Sequence, residues 1–320
     1  MGVKNDVFQS KSERRNYHKL ESVWGNDYRI YHNLPFLNVF TPKNLIDWSD
    51  WRSPKPFSLT ELEFNRLKKT SIDYTLCNQS DKPLVCIEYD GLQEGFNVGT
   101  QYFADHMAFG PNPWRQEITE LKLKVAHGSF FPFFVVGTDY FNDLTPELKL
   151  TIVDGLIGDV LANLAKQERF KQGFTSDEIG FSEEDWSSLD PESQQLYLDD
   201  WALEVEVNAD MTFNPISRAR MDMARQLEVQ SWSEEFLVYP EIPPAASLNE
   251  RARYLENAQK NGQRVTLHTK DYGDVSGTAW ISNFKASYYN GNSILEDLAF
   301  IAACEKFKKL QTRGQVTGKG

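Results

Sequence analysis

The sequence predicts an α/β protein: a mixed central sheet flanked by helices, then a helical and acidic region, then a small α-β-β-β-α unit. Three observations predict it. Residues 71–91 alternate apolar and polar positions on both sides of a polar turn, as a half-buried hairpin does. Up to residue 144 the patterns run helix, strand, strand, strand, helix, strand. Residues 240–246, with three prolines and two alanines, then set apart a last compact segment.

Residues 11–24 read as a helix that Ser12 can cap, with Tyr17, Leu20, Val23 and Trp24 near helical spacing. Gly25, Asn26 and Asp27 break it, and residues 28–40 read as a strand. Residues 41–59, with three prolines, form an irregular insertion, and 61–69 add one or two helical turns. In the hairpin, a symmetric turn over 78–83 pairs Cys77 with Leu84, Thr75 with Cys86 and Asp73 with Glu88. Opposed side chains sit with Cβ atoms roughly 5 Å apart, and like charges there repel. A cation between Asp73 and Glu88, a divalent metal first of all, relieves that repulsion. The same acids also suit a solvated hairpin face, although Thr75, Cys77 and Cys86 interleave with them.

Residues 97–113 are a loop punctuated by Gly and Pro. Residues 114–127 carry Trp114, Ile118, Leu121 and Val125 at helical spacing, with Gly128 in the stop position. The nearly all-apolar run 130–136 is a buried strand. A long amphipathic helix spans 146–170, and 175–200 are loop and short helix. Residues 201–208 (WALEVEVN) alternate as a strand, and 215–227 return to helix. Past the linker come a helix at 248–259, strands at 264–269, 277–284 and 285–289, and a helix at 293–310. The predicted units are 1–144, 145–239 and 247–312, with 313–320 a flexible tail.

No apolar run approaches the roughly 18 residues of a membrane span, and the first fifteen residues lack the apolar core of a signal peptide. Cys77, Cys86 and Cys304 have no metal-site or disulfide spacing and fit buried thiols in a reducing cytoplasm. Five histidines without HxH or HExxH spacing argue against zinc. The net charge of −12 is uneven. Residues 1–144 hold 16 basic and 18 acidic side chains, 145–246 hold 7 and 21, and 247–320 hold 11 and 7. The two ends therefore permit a polyanionic partner, while the middle favours a protein contact.

Four stretches carry a resemblance. They are Ser12-Glu13-Arg14-Arg15 in the first helix, Ile72-Asp73-Tyr74, Val85-Cys86-Ile87-Glu88-Tyr89-Asp90-Gly91, and Arg115 followed by Phe133-Phe134-Val135-Val136. In this order the first 144 residues resemble the PD-(D/E)xK, or restriction-endonuclease-like, superfamily, in the branch of very-short-patch repair endonucleases and similar bacterial domains. The resemblance implies an Mg²⁺ (or Mn²⁺) site held by Asp73 and Glu88, with Glu13 as auxiliary acid. It implies phosphodiester cleavage of nucleic acid, DNA favoured over RNA. The family places Lys two residues after the second acid, where this chain has Asp90, a second auxiliary acid able to add a ligand or orient water. The cation then comes from the next helix, where Arg115, Thr119 and Lys122 share a stripe; Lys124 is turned about 200° away. His106, beside Asp105, is a candidate to contact substrate or act as base. His32 and His268 read as structural. Asp90 also leaves open a catalytically silent module of the same fold, serving nucleic-acid-associated or protein assembly.

The α-β-β-β-α order of 247–312, with Ala302-Ala303 in its last helix, resembles a double-stranded-RNA-binding domain. The helix start reads Ser293-Ile294-Leu295-Glu296-Asp297, whose acids repel phosphates, so a protein-contact role is expected of it.

Overall fold

A computed structural model describes residues 8, 10–48, 50, 52–90, 96–97, 101–102, 113–145, 147–239, 260–281, 284–287 and 291–317. The hairpin is its centre. Strand β4 (Ser71–Cys77) pairs antiparallel with β5 (Pro83–Asp90), joining Tyr74 to Ile87, Thr75 to Cys86 and Leu76 to Val85. That is the predicted register. It slips at the turn, where Cys77 faces Pro83 rather than Leu84. The side chain of Asn78 causes the slip: its Oδ1 accepts from the N–H groups of Ser80 and Lys82 and closes an asymmetric loop.

Strand β1 (Arg29–Pro35) flanks β4, and β8 (Phe133–Gly137) runs parallel to β5. The crossover between β5 and β8 carries helix α4 (Pro113–Gly128), as a parallel pair requires. The five-stranded sheet has the order β1-β4-β5-β8-β12 and is mixed, as predicted; β12 is Lys285–Ala286. The third strand expected in the C-terminal unit thus pairs with β8, about 150 residues earlier in the chain.

Helices cover both faces. On one, α1 (Lys11–Trp24) and α5 (Ile152–Gln172) bury Leu20, Trp24, Leu156 and Ile157 against Tyr74, Leu76, Val85 and Ile87. Ile281, Ile294 and Leu295 enter this same core. On the other face α4 packs Leu121, Val125 and Ala126 against Cys86, Phe133 and Val135. Phe36, in the short helix α2 (Phe36–Val39), and Leu67, in α3 (Glu61–Leu67), complete that layer. The strand predicted over 28–40 therefore ends at Pro35. The insertion at 41–59 contains a small ribbon of β2 (Leu45–Asp47) and β3 (Lys55–Phe57); β6 (Phe96–Asn97) and β7 (Gln101–Tyr102) form another.

Two boundaries follow from capping. Helix α1 is capped by Ser10, not Ser12, in a reciprocal box with Glu13. Helix α5 begins at Ile152, six residues later than expected, because Thr151 and Asp154 cap each other there.

The strand predicted at 201–208 is helix instead. It lies inside α7 (Pro191–Phe213), which follows α6 (Glu183–Ser188) and precedes α8 (Pro215–Gln226). Asp190 caps α7 through the N–H groups of Glu192 and Ser193, with Pro191 at the first helical position. Beyond α8, β9 (Trp232–Tyr239), β10 (Lys260–Thr269) and β11 (Gly273–Ile281) form an antiparallel sheet in the order β11-β10-β9. Residues 232–239 carry no strand expectation in the sequence reading. Helix α9 (Asn292–Thr317) covers this sheet with Phe300, Ala303 and Phe307. The predicted linker at 240–246 and helix at 248–259 lie outside the described residues. Among the described residues no helix is long and apolar enough to cross a membrane.

Candidate active site

Asp73 and Glu88 stand on neighbouring strands, and Glu88 meets Lys122 of α4. The backbone pairing of β4 and β5 stops at Tyr74 and Ile87. One step further, Asp73 Oδ2 accepts the N–H of Tyr89 at 2.7 Å, so a carboxylate takes over as ladder acceptor. As a whole residue Asp73 is half-buried, and its carboxyl is the part enclosed by protein. Burial and, after it, the neighbouring Glu88 push that carboxyl well above its usual range; Tyr89 N–H and Lys122 pull it down, and Glu13 adds to the rise.

Lys122 enters from α4. Its Nζ donates to Glu88 Oε1 at 2.7 Å and to the carbonyl of Ser71 at 2.8 Å. Its side chain is 5% exposed and that of Glu88 20%, so the pair lies inside the protein. Glu88 Oε2 is buried with no hydrogen-bond partner, an acceptor without a donor. Lys124 faces elsewhere, over the ring of Phe57 and 3.7 Å from Glu63. The helical phase that separates the two lysines in the sequence is the phase in the structure.

Glu13 projects from the first turn of α1, 8% exposed. Its Oε1 meets His32 Nε2 at 2.6 Å and lies 3.4 Å from Asn33 Nδ2, and its carbonyl accepts from the buried hydroxyl of Tyr74. His32, expected to be structural, is instead tied to the Glu13 carboxylate. The available signal is its position on β1 opposite Tyr74, one residue from Asp73's own register. Asn33 beside it has φ +55°, a left-handed conformation that Asn tolerates better than most residues.

The other candidates fall elsewhere. The backbone of Asp90 pairs with Gly137 at the end of β5, but its side chain, that of Arg115, and all of His106 lie outside the described residues. His127 is tied through Nδ1 to the carbonyl of Ser287, fastening α4 to the chain beside β12. His18 pairs with Glu21 and His268 with Asp274, both at the surface.

The assembled group is two carboxylates, one cation between helix and sheet, and a third carboxylate near enough to act on Asp73. Among the described residues no three His, Cys, Asp or Glu side chains gather into a metal cage. Mg²⁺ needs less, because one or two carboxylates and its own waters satisfy it. Asp73 and the unpartnered Oε2 of Glu88 fit that requirement. Comparison with known proteins gives no match to this chain among family models, curated proteins or solved structures.

Proposed function

We propose that the protein is a metal-dependent phosphodiesterase acting on nucleic acid, with a restriction-endonuclease-like core. The observation that carries the reading is the buried Lys122, which brings to Glu88 the cation that the sequence lacks at position 90. Asp73 and Glu88 would hold the dication, which would polarise the phosphate and make a bound water more acidic. The chain's own groups have defined tasks. Burial and Glu88 raise the Asp73 carboxyl pKa well above its usual range, and positive charge beside it would favour its ionised form. Lys122 offers its remaining N–H to a phosphate oxygen, where charge grows during cleavage. Glu13, fixed by His32 and Ser10, bears on the potential at Asp73 without touching its carboxyl through any described bond.

The test is a cleavage assay on labelled single- and double-stranded DNA and RNA with Mg²⁺, Mn²⁺ or EDTA. Wild type should cleave at least one substrate with metal and none with EDTA. Asp73→Asn and Glu88→Gln should each lower the rate by about 10²-fold or more, the scale of removing a preorganised electrostatic group. Cleavage that survives both substitutions, or EDTA, rules the reading out. Asp90 favours a silent module of the same fold, and that reading predicts a folded wild type with no cleavage under any of these conditions.

A further inference from the structure

Helix α7 leaves an apolar line uncovered. Leu196, Leu203 and Val207 fall within about 40° of one another around its axis and are 63%, 59% and 46% exposed. Acids border the line on both edges: Asp199, Glu206 and Asp210 on one, Asp200 and Glu204 on the other. Twelve acidic residues and no Lys, Arg or His occur from 172 to 217. At its C-terminal end the line runs into a cavity of about 380 Å³ whose apolar wall is Val207, Met211 and Met221. The same cavity holds four carboxylates, Asp159, Asp210, Glu296 and Asp297, against two cations, Lys166 and Arg220. Those cations are already engaged: Lys166 with Asp210 at 3.2 Å, Arg220 with Asp297 at 2.9 Å and Glu296 at 3.0 Å. By formal count, carboxylates outnumber cations in the cavity.

The sign of the charge selects the occupant. Nucleic acid and anionic lipid are repelled by this surface, and a second α7 brings the same acids against themselves. We propose that the α7 line and its cavity dock a cationic amphipathic helix of a partner protein. Apolar residues of that helix at i, i+7 and i+11 match Leu196, Leu203 and Val207, and Lys or Arg on its flanks meet the bordering acids. One Lys or Arg beyond the last anchor enters the cavity, its methylene stem along Val207, Met211 and Met221 and its charge among the acids. The site lies on α5, α7, α8 and α9, apart from Asp73 and Glu88, so it does not depend on the hydrolase reading.

The experiment uses the full chain and a fluorescein-labelled helical peptide of Leu and Lys with apolar residues on one stripe, followed by fluorescence anisotropy. A scrambled peptide of equal composition and charge, with no stripe, is the control. The striped peptide should bind wild type about tenfold or more tightly than the scrambled one, the effect of seating two or more anchors. Leu203→Ser with Val207→Ser should erase that preference while circular dichroism stays unchanged, since neither side chain belongs to a buried core. Equal binding of the two peptides, or a preference that survives the double substitution, overturns the proposal. So does sedimentation showing a dimer that the double substitution abolishes, because the occupant is then a second copy, reached through a run such as Lys306, Lys308, Lys309 and Arg313.

Discussion

Replacing Lys122 by methionine probes the centre of the site. Methionine keeps most of the stem volume, so the change removes charge and two hydrogen bonds without opening a large cavity. The lost bonds are those to Glu88 Oε1 at 2.7 Å and to the Ser71 carbonyl at 2.8 Å. Deleting one member of a buried ion pair costs about 3–5 kcal/mol when the other charge is stranded. Glu88 is one-fifth exposed and keeps some contact with solvent, so the low end applies, about 3 kcal/mol. Urea denaturation at pH 7, followed by tryptophan fluorescence, measures it. Glu88→Gln in the same background completes a double-mutant cycle, and the double variant should recover about 1–2 kcal/mol of the loss. A Lys122→Met variant within about 0.5 kcal/mol of wild type refutes the buried pair. Additivity of the two changes within about 0.5 kcal/mol does the same.

Asp73→Asn should stabilise the protein at neutral pH. Folding raises the Asp73 pKa, so its contribution is complete below the ordinary value of 3.8 and is lost as pH rises through the raised one; the variant's urea midpoint should exceed wild type's at pH 7 and converge on it toward pH 4. Equal midpoints at both pH values contradict the burial of that carboxyl. Glu296, pushed up to about 7 by burial against the pull of Arg220, loses its contribution between about 4.5 and 7. Glu296→Gln should flatten the pH–stability curve over that interval, and an unchanged slope removes the argument. Gly277→Ala places a Cβ 2.2 Å from the Ala299 carbonyl oxygen and 2.3 Å from the Ala303 nitrogen. Backbone cannot rotate aside, so β11 must withdraw from α9 at a cost of about 1–3 kcal/mol, and a variant as stable as wild type shows that this contact yields freely.

The parts of the fold legible in the sequence are those whose partners are close along the chain. The β4–β5 hairpin alternates because one face of each strand meets the first core and the other meets α4, and only residues 78–82 separate the paired ends Cys77 and Pro83. Lys122 could be told from Lys124 because α4 has a deep apolar stripe that fixes its phase: Ile118, Leu121 and Val125 are all buried. Helix α7 has no such anchor. Only Ala209 is buried along its length, so Leu203, Val205 and Val207 alternate with Glu204 and Glu206 under no constraint from a core. Period two then means nothing, and the Asp190 cap with Pro191 is the signal that decides. The failure is itself informative. A residue pattern that serves neither a sheet nor a core is free to serve a surface, and residues 201–208 carry part of the exposed apolar line. His32 and β12 escape for a different reason. The His32–Glu13 bond joins two elements through a side chain whose direction depends on the left-handed turn at Asn33, and β12 finds β8 across some 150 residues. Neither local period nor composition encodes a contact of that kind, yet the first positions the acid of α1 and the second completes the sheet edge beside the chain that fastens α4. The two carboxylates announce themselves locally, while the scaffold that holds them apart from water is assembled from distant pieces.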